Sequence, residues 1–199
     1  MLLSYIELMG LINERVITAN RSLVNAASID LTLGSEVLVE GVPGCERTLR
    51  DGWISGSAPR QHLVPKIKVL SLRNRDKPEF TKMDISKEPV VLLPGQFMLA
   101  HSEQVFNLPD NISAIYAEKS SMARIGLNHL NAGWADAGWS GSVLTLELHN
   151  VLSHHAIELR AGDPAGQMIF FKHTKVPPEA SYARRGRYNG DMTVEGIKP

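Results

Sequence analysis

Residues 118 to 150, EKSSMARIGLNHLNAGWADAGWSGSVLTLELHN, concentrate the groups in this 199-residue chain whose types and spacing could do chemistry. Lys119, Ser120, Ser121 and Arg124 place two hydroxyls and two cations within one short stretch, a set suited to holding a polyanion through charge-assisted hydrogen bonds. The same pattern also describes a helix N-terminus with a serine cap and Arg124 on a solvated face. Asp136 sits in AGWADAGWSG, where small residues permit close backbone approach to a ligand; a turn aspartate bonding its own backbone fits the run equally. Glu147 lies in SVLTLELHNV, an alternating stretch with Leu144, Leu146 and Leu148 on one face and Val143, Thr145, Glu147 and His149 on the other. If that second face meets solvent, Glu147 is ordinary. If it lines a cavity, a buried carboxylate with a raised pKa becomes a general acid or base.

Metal chemistry finds little support. Cys45 is the only cysteine, so a disulfide framework and a multi-cysteine zinc site are excluded. The seven histidines form no HxH or HExxH pattern, and no HxE is followed by PCxxC. His129 and His149 therefore read as partners in a polar site rather than as ligands, and no protein-held zinc is expected.

The elements that must position these groups are mostly short strands. Period-two runs occur at 28–34, where Ile29, Leu31 and Leu33 alternate with polar residues, and at 66–72, 88–95, 97–106, 111–118, 142–151 and 167–173. Turn signals such as Pro94-Gly95, Pro109-Asp110 and Gly162-Asp163-Pro164 separate them. Many short strands with little helix predict an all-β sandwich or barrel rather than a βαβ fold. Residues 1–15 predict an N-terminal helix: Ser4 and Glu7 have capping-box spacing, and Leu2, Ile6 and Met9 form a stripe that Asn13 closes. Residues 41–65 read as a long loop. From 174 to 199, Arg184, Arg185 and Arg187 interleave with Tyr182 and Tyr188, which describes either a disordered terminus or a lid for a phosphorylated, ring-bearing ligand.

Composition bounds the rest. The length predicts one domain over 1–199 with a sizeable core, and 43% apolar with 21% charged residues is globular composition. Twenty-one basic against twenty-one acidic residues argue against a nucleic-acid coat or an anionic-membrane binder. No run approaches the ~20 apolar residues of a membrane helix, and the N-terminus lacks the basic start and cleavage site of a signal peptide. A lone cysteine fits a cytoplasmic, reducing setting.

At SSMARIGL, AGWADAGWSG and LTLELHN the chain resembles the dCTP deaminase family, relatives of the trimeric dUTPases. The family motifs read approximately (G)(R/K)SSxxRxGL, HxTAGxIDxG(F/W)xG and xTLExxN. NAASIDLTLG, LLPGQFMLAHSEQVFNLPDNISA and LRAGDPAGQMIFF extend the likeness over most of residues 25 to 190. The resemblance implies a distorted jelly-roll β-barrel assembling as a homotrimer with shared active sites. It implies that Glu147 shuttles protons for a water attacking carbon 4 of cytosine, with Ser120, Arg124 and the Ala132 carbonyl completing the catalytic pocket. Lys119 and Ser121 would bind phosphate, His129 would lie near the site, and Asp136 would contact the deoxyribose 3'-hydroxyl. Tyr182 and Arg187 would close over the triphosphate, which brings its own Mg2+ and needs no zinc.

Two spacings depart from the family pattern. The Arg124–His129 segment is one residue shorter, and the Gly141–Glu147 segment is one longer, which a β-bulge would absorb. Trp134 stands where enterobacterial monofunctional enzymes carry arginine, and the AGW wording is closer to bifunctional members. Asp191 replaces a common glutamine, which puts tail contacts there in question. The leading expectation is deamination of dCTP to dUTP. Next comes a bifunctional enzyme releasing dUMP and pyrophosphate, then a plain dUTPase, which Trp139 in place of the usual tyrosine disfavours. A catalytically silent nucleotide-binding regulator is the non-enzymatic alternative.

Overall fold

A computed structural model describes residues 1–41 and 69–198. The loop expected at 41–65 falls, apart from Gly41, outside the described residues, as does Cys45. Helix α1 spans Tyr5–Asn13, and the Glu7 carboxylate accepts the Ser4 backbone N–H at 2.9 Å, so the expected capping box forms. The expected apolar stripe does not hold. Ile6 is 81% exposed, while Leu3, Leu8 and Leu11 are the buried residues. Helical periodicity cannot be extended back to Leu2 because it precedes the helix, bridging Phe171 as extended chain.

Eleven strands follow among the described residues: β1 (Ile29–Thr32), β2 (Glu36–Glu40), β3 (Phe80–Asp84), β4 (Val90–Leu92), β5 (Phe97–Asn107), β6 (Ile112–Ala117), β7 (Leu127–His129), β8 (Trp134–Ala135), β9 (Ser140–Asn150), β10 (Ile157–Leu159) and β11 (Pro164–Lys172). Short helices α2 (Ser120–Arg124) and α3 (Tyr182–Arg185) complete the set. One sheet has the order β1-β11-β6-β8 and a second β3-β2-β5-β9-β7, with β4 and β10 forming a separate pair. The pairings are antiparallel. One continuous core joins the two larger sheets, drawing Leu31, Met168 and Phe170 from the first and Met98, Phe106 and Leu146 from the second. Each such side chain removed from water stabilises the fold by about 1.5–3 kcal/mol. The all-β expectation is met.

The strand expected at 66–72 is not there over its described part. Residues 69–72 form no strand, and Val69 and Leu72 are exposed. The edge of the larger sheet is formed instead by β3, paired with β2 from Glu36↔Asp84 to Glu40↔Phe80.

The pairing of β5 with β9 positions the candidate glutamate. Leu99 lies opposite Glu147 and Phe97 opposite His149. Between His101 and Val105 the register breaks, and there the Ser102 hydroxyl substitutes for the ladder, accepting the Leu144 N–H at 2.9 Å and donating to the Gln104 carbonyl at 2.8 Å. Buried backbone polar groups demand such replacement partners. A second irregularity gives β9 an extra residue at Gly141, opposite Phe106 and Asn107, which is the bulge expected near that position.

Beyond β11 the chain returns over the sheet. Ser181 caps α3, accepting the Ala183 N–H at 3.3 Å and donating to Asp110 at 2.6 Å. Tyr182 N–H then bonds the Ala137 carbonyl at 2.9 Å, and Val143 N–H bonds the Asp191 carbonyl at 2.8 Å, adding the tail to the start of β9.

Candidate active site

The face of β9 that carries Val143, Thr145 and Glu147 meets neither bulk solvent nor core. It lines a cleft of about 470 Å³ closed by the tail. Apolar walls come from Phe80, Phe97, Leu99, Trp139, Val143 and Leu144, and the tail adds Tyr182, Tyr188 and Ile197. The tail is held there by side chains that fit together. The Trp139 indole stacks on Phe106 with centroids 5.1 Å apart and donates to the Tyr188 carbonyl at 2.8 Å. Asn189 accepts the Ser140 N–H at 2.9 Å and donates to the Tyr182 carbonyl at 3.0 Å. Thr193 donates to Glu36, which also pairs with Lys82 at 2.7 Å, and Val194 is buried.

Within the cleft Glu147 has one carboxylate oxygen, Oε2, sealed from solvent and without a hydrogen-bond partner. Burial pushes its pKa above the usual carboxylate range. His129, on the neighbouring strand β7, places Nε2 at 3.3 Å from that oxygen, close enough for attraction but not aligned as a hydrogen bond. Asn131 N–H donates to His129 Nδ1 at 3.0 Å, so the neutral ring must carry its proton on Nε2, facing Glu147. The histidine is neutral at physiological pH: it is 1% exposed, and burial lowers its pKa to about 4.

Asp136 also lines the cleft, and its Oδ1 accepts the Trp134 indole N–H at 2.7 Å. Of the ten residues expected to form the site, Glu147, Ala132, Asp136 and Tyr182 lie together in the cleft, with His129 behind Glu147. The rest lie elsewhere. Ser120, Ser121 and Arg124 are exposed on α2, and Lys119 is paired with Asp30 at 2.5 Å. Arg187 is exposed, and only its carbonyl is engaged, by Lys198 Nζ at 3.2 Å.

The lining contains four carboxylates, Asp136, Glu147, Asp191 and Glu195, and among the described residues that form it no lysine, arginine or histidine. Asp191 is held by Lys198 at 2.5 Å, so the position where a glutamine is more usual does make tail contacts. Residue reasoning missed Tyr116, Glu118 and Glu195. The first two precede the serine motif and carried no signal of their own; the third is brought to the cleft by the path of the tail. Among the described residues no group of three or more His, Cys, Asp or Glu side chains is arranged to hold a metal ion. No helix among them is long and apolar enough to cross a membrane.

This architecture of two antiparallel sheets, with a buried glutamate on a central strand beneath a folded tail, agrees with known proteins. A family model described as dCTP deaminase-like matches residues 3–173, and the chain belongs to that family. It is 35% identical over 128 residues to a protein of Methanosphaerula palustris named dCTP deaminase, dUMP-forming, covering 64% of this chain and 68% of that one. A protein of the same name from Methanospirillum hungatei is 45% identical over 89 residues, covering 44% of this chain and 47% of that one. The crystal structure of 2'-deoxycytidine 5'-triphosphate deaminase from Agrobacterium tumefaciens superimposes with a TM-score of 0.58 at 23% identity, covering 85% of this chain and 47% of that one. The distorted jelly-roll fold is thereby shown. The chain thus spans about two thirds of one relative and about half of the others.

Proposed function

We propose that the protein deaminates dCTP and carries the product on to dUMP and pyrophosphate. The observation that carries this reading is Glu147: a carboxylate with one sealed oxygen and a raised pKa, on a strand face that lines an apolar cleft wide enough for a nucleoside. Hydrolytic deamination requires a base to take a proton from water as its oxygen bonds to cytosine carbon 4. It then requires an acid to return that proton to the amine as the carbon–nitrogen bond breaks and ammonia leaves. A single carboxylate whose pKa is raised by burial performs both steps in turn. The apolar walls exclude competing water and keep the base in place.

The names of the relatives from Methanosphaerula palustris and Methanospirillum hungatei include the words dUMP-forming, which favours the bifunctional expectation over release of dUTP. Asp136 is the residue for that second step. Its carboxylate, oriented by the Trp134 indole, contacts the sugar and takes a proton from the water that attacks the α-phosphorus as the bond from that phosphorus to the α–β bridging oxygen breaks and pyrophosphate leaves. Mg2+ would enter as part of the nucleotide substrate and would supply charge neutralisation on the triphosphate.

The distribution of charge supports a homotrimer with shared sites. A cleft lined by four carboxylates and no cation cannot by itself compensate a triphosphate, whereas Ser120, Ser121 and Arg124 stand exposed on α2. A neighbouring copy presents its α2 to this cleft. The apolar outer residues Ile115 and Trp134, paired across β6 and β8, with Trp134 stacked on Phe171 at 6.4 Å, offer a surface for that contact. Incubation with dCTP and Mg2+ and separation of dUTP, dUMP, pyrophosphate and ammonia tests the reading: dUMP, pyrophosphate and ammonia in equal amounts are expected. Unchanged dCTP would overturn it, and dUTP accumulation would reduce it to the deaminase step.

A further inference from the structure

Tyr116 and Glu118 are buried titratable groups that the proposed chemistry leaves without a task. Tyr116 is 6% exposed, and its hydroxyl oxygen has no hydrogen-bond partner. The same holds for Glu118 Oε1, His129 Nε2 and Glu147 Oε2. Orphaned buried polar atoms are few in folded proteins, so four in one neighbourhood call for a physical account. They do share a neighbourhood. The Tyr116 ring packs on the His129 imidazole with centroids 4.1 Å apart, and His129 in turn reaches Glu147. The Glu118 carboxylate is held by the His129 backbone. Besides burial, the charges of Glu118 and then Glu147 raise the Tyr116 pKa, so both carboxylates lie within electrostatic reach of its hydroxyl.

Tyr116 is also seated with unusual care. A side chain on Gly133 would begin 2.3 Å from Tyr116 Cβ. One on Gly166, whose φ is +112°, would begin 2.3 Å from its ring and 2.5 Å from its hydroxyl. Gly133, read from sequence as room for a ligand, is room for this tyrosine.

Resting on the function proposed above, we propose that Tyr116 is a positioning residue for Glu147. Its ring clamps the His129 imidazole with Nε2–H facing the carboxylate, and its hydroxyl supplies that pair with a hydrogen bond through one bound water shared with Glu118. The inner oxygen of Glu147 is thereby fixed, and its outer oxygen is left to face the reacting water. A neutral histidine locked by Asn131 on one side and stacked on the other cannot swing away or compete for the proton.

Tyr116→Phe keeps the ring, its stacking and its fit between the glycines while removing only the hydroxyl. It is expected to lower kcat about tenfold, the worth of one hydrogen bond of about 1.4 kcal/mol, with KM for dCTP within about twofold. Tyr116→Leu, which removes the clamp, is expected to lose more activity and some stability. In protein labelled with ¹⁵N-histidine, the His129 ring, assigned with His129→Gln, should show the neutral Nε2–H form. In Tyr116→Phe its Nε2–H proton should exchange with solvent at least about tenfold faster, by the same hydrogen-bond energy. Wild-type kcat in Tyr116→Phe, or an unchanged exchange rate, overturns the proposal. Should the wild-type protein release no ammonia from dCTP, the functional reading falls, and the imidazole resonance alone decides the clamp.

Discussion

The cleft beneath the tail and the helix α2 carry two parts of one expected residue set in opposite surroundings. In the cleft Glu147 is desolvated, His129 is neutral and the walls are apolar; on α2 Ser120, Ser121 and Arg124 stand in water. Water screens charge, so the exposed cations can hold phosphate only once another surface excludes solvent around them. The cleft has the converse need, because its carboxylates repel a triphosphate until cations arrive. On the proposed function, proton transfer and anion binding are assigned to different surfaces that assembly would join.

The largest test of that division is Glu147→Gln. It should lower deamination by about 10²–10⁴-fold while leaving dCTP binding within a few-fold, because the amide keeps the shape but cannot carry the proton. Ammonia release and calorimetric binding measured together would expose a glutamate that serves only to bind. Arg124→Ala should weaken dCTP binding by at least about tenfold, the value of one charge-assisted hydrogen bond or more, without disturbing the barrel, since its side chain is exposed. If the two surfaces meet between copies, mixing and reassembling the two variants at a dCTP concentration too low for Arg124→Ala to bind should restore activity that neither shows alone. Continued inactivity of the mixture would place both groups in one chain.

Ending the chain at residue 180 should come next. Removing the tail opens the cleft, so KM should rise more than kcat falls, and the melting temperature should drop by a few degrees through loss of Val194 and the Trp139 contact. Intermediate too is the acid limb of stability. The folded His129 binds its proton only near pH 4, while the unfolded one does so near 6.5. The unfolded His129 therefore holds more protons in that window, and its contribution to stability falls as pH drops from about 6.5 to about 4, by roughly 3 kcal/mol at most, against an opposing contribution from Glu147 and Glu118, whose pKa values burial raises. Urea unfolding at pH 7.5 and 5 should show this in the wild type and less of it in His129→Gln. Trp134→Phe should have the smallest effect. It frees the Asp136 carboxylate and should slow the dUMP-forming step a few-fold with little change in ammonia release. Equal loss in both steps would remove Trp134 from a specific role with Asp136.

The local part of this arrangement was legible in the sequence. Alternation along 142–151 put Glu147 on the face opposite Leu144, Leu146 and Leu148, and the capping residues Ser4 and Glu7 marked the first helix. Whether the Glu147 face met water or a cleft was not legible, because Tyr182, Tyr188 and Ile197 reach it from far along the chain. Strand β2 was hidden because Gly34 reads as a strand end, although the chain resumes extension at Glu36 to pair with β3 and β5. The opposite error arose at 69–72, where alternation is present in the sequence but the chain forms no strand and Val69 and Leu72 are exposed. Tyr116 offered no clue, since its ring is defined by two glycines, Gly133 and Gly166, that are distant in sequence from one another.

That glycine seat restricts how the sequence can drift. Positions 116, 133 and 166 constrain one another: a first side-chain carbon at 133 would begin 2.3 Å from Tyr116 Cβ, and one at 166 would begin 2.3 Å from the Tyr116 ring. The contact at 133 is with Cβ, which every residue but glycine carries, so glycine there should persist whatever side chain stands at 116. The contact at 166 is with the ring, so among relatives an aromatic residue at 116 should travel with glycine at 166, while alanine or serine at 166 should occur only where position 116 has shrunk.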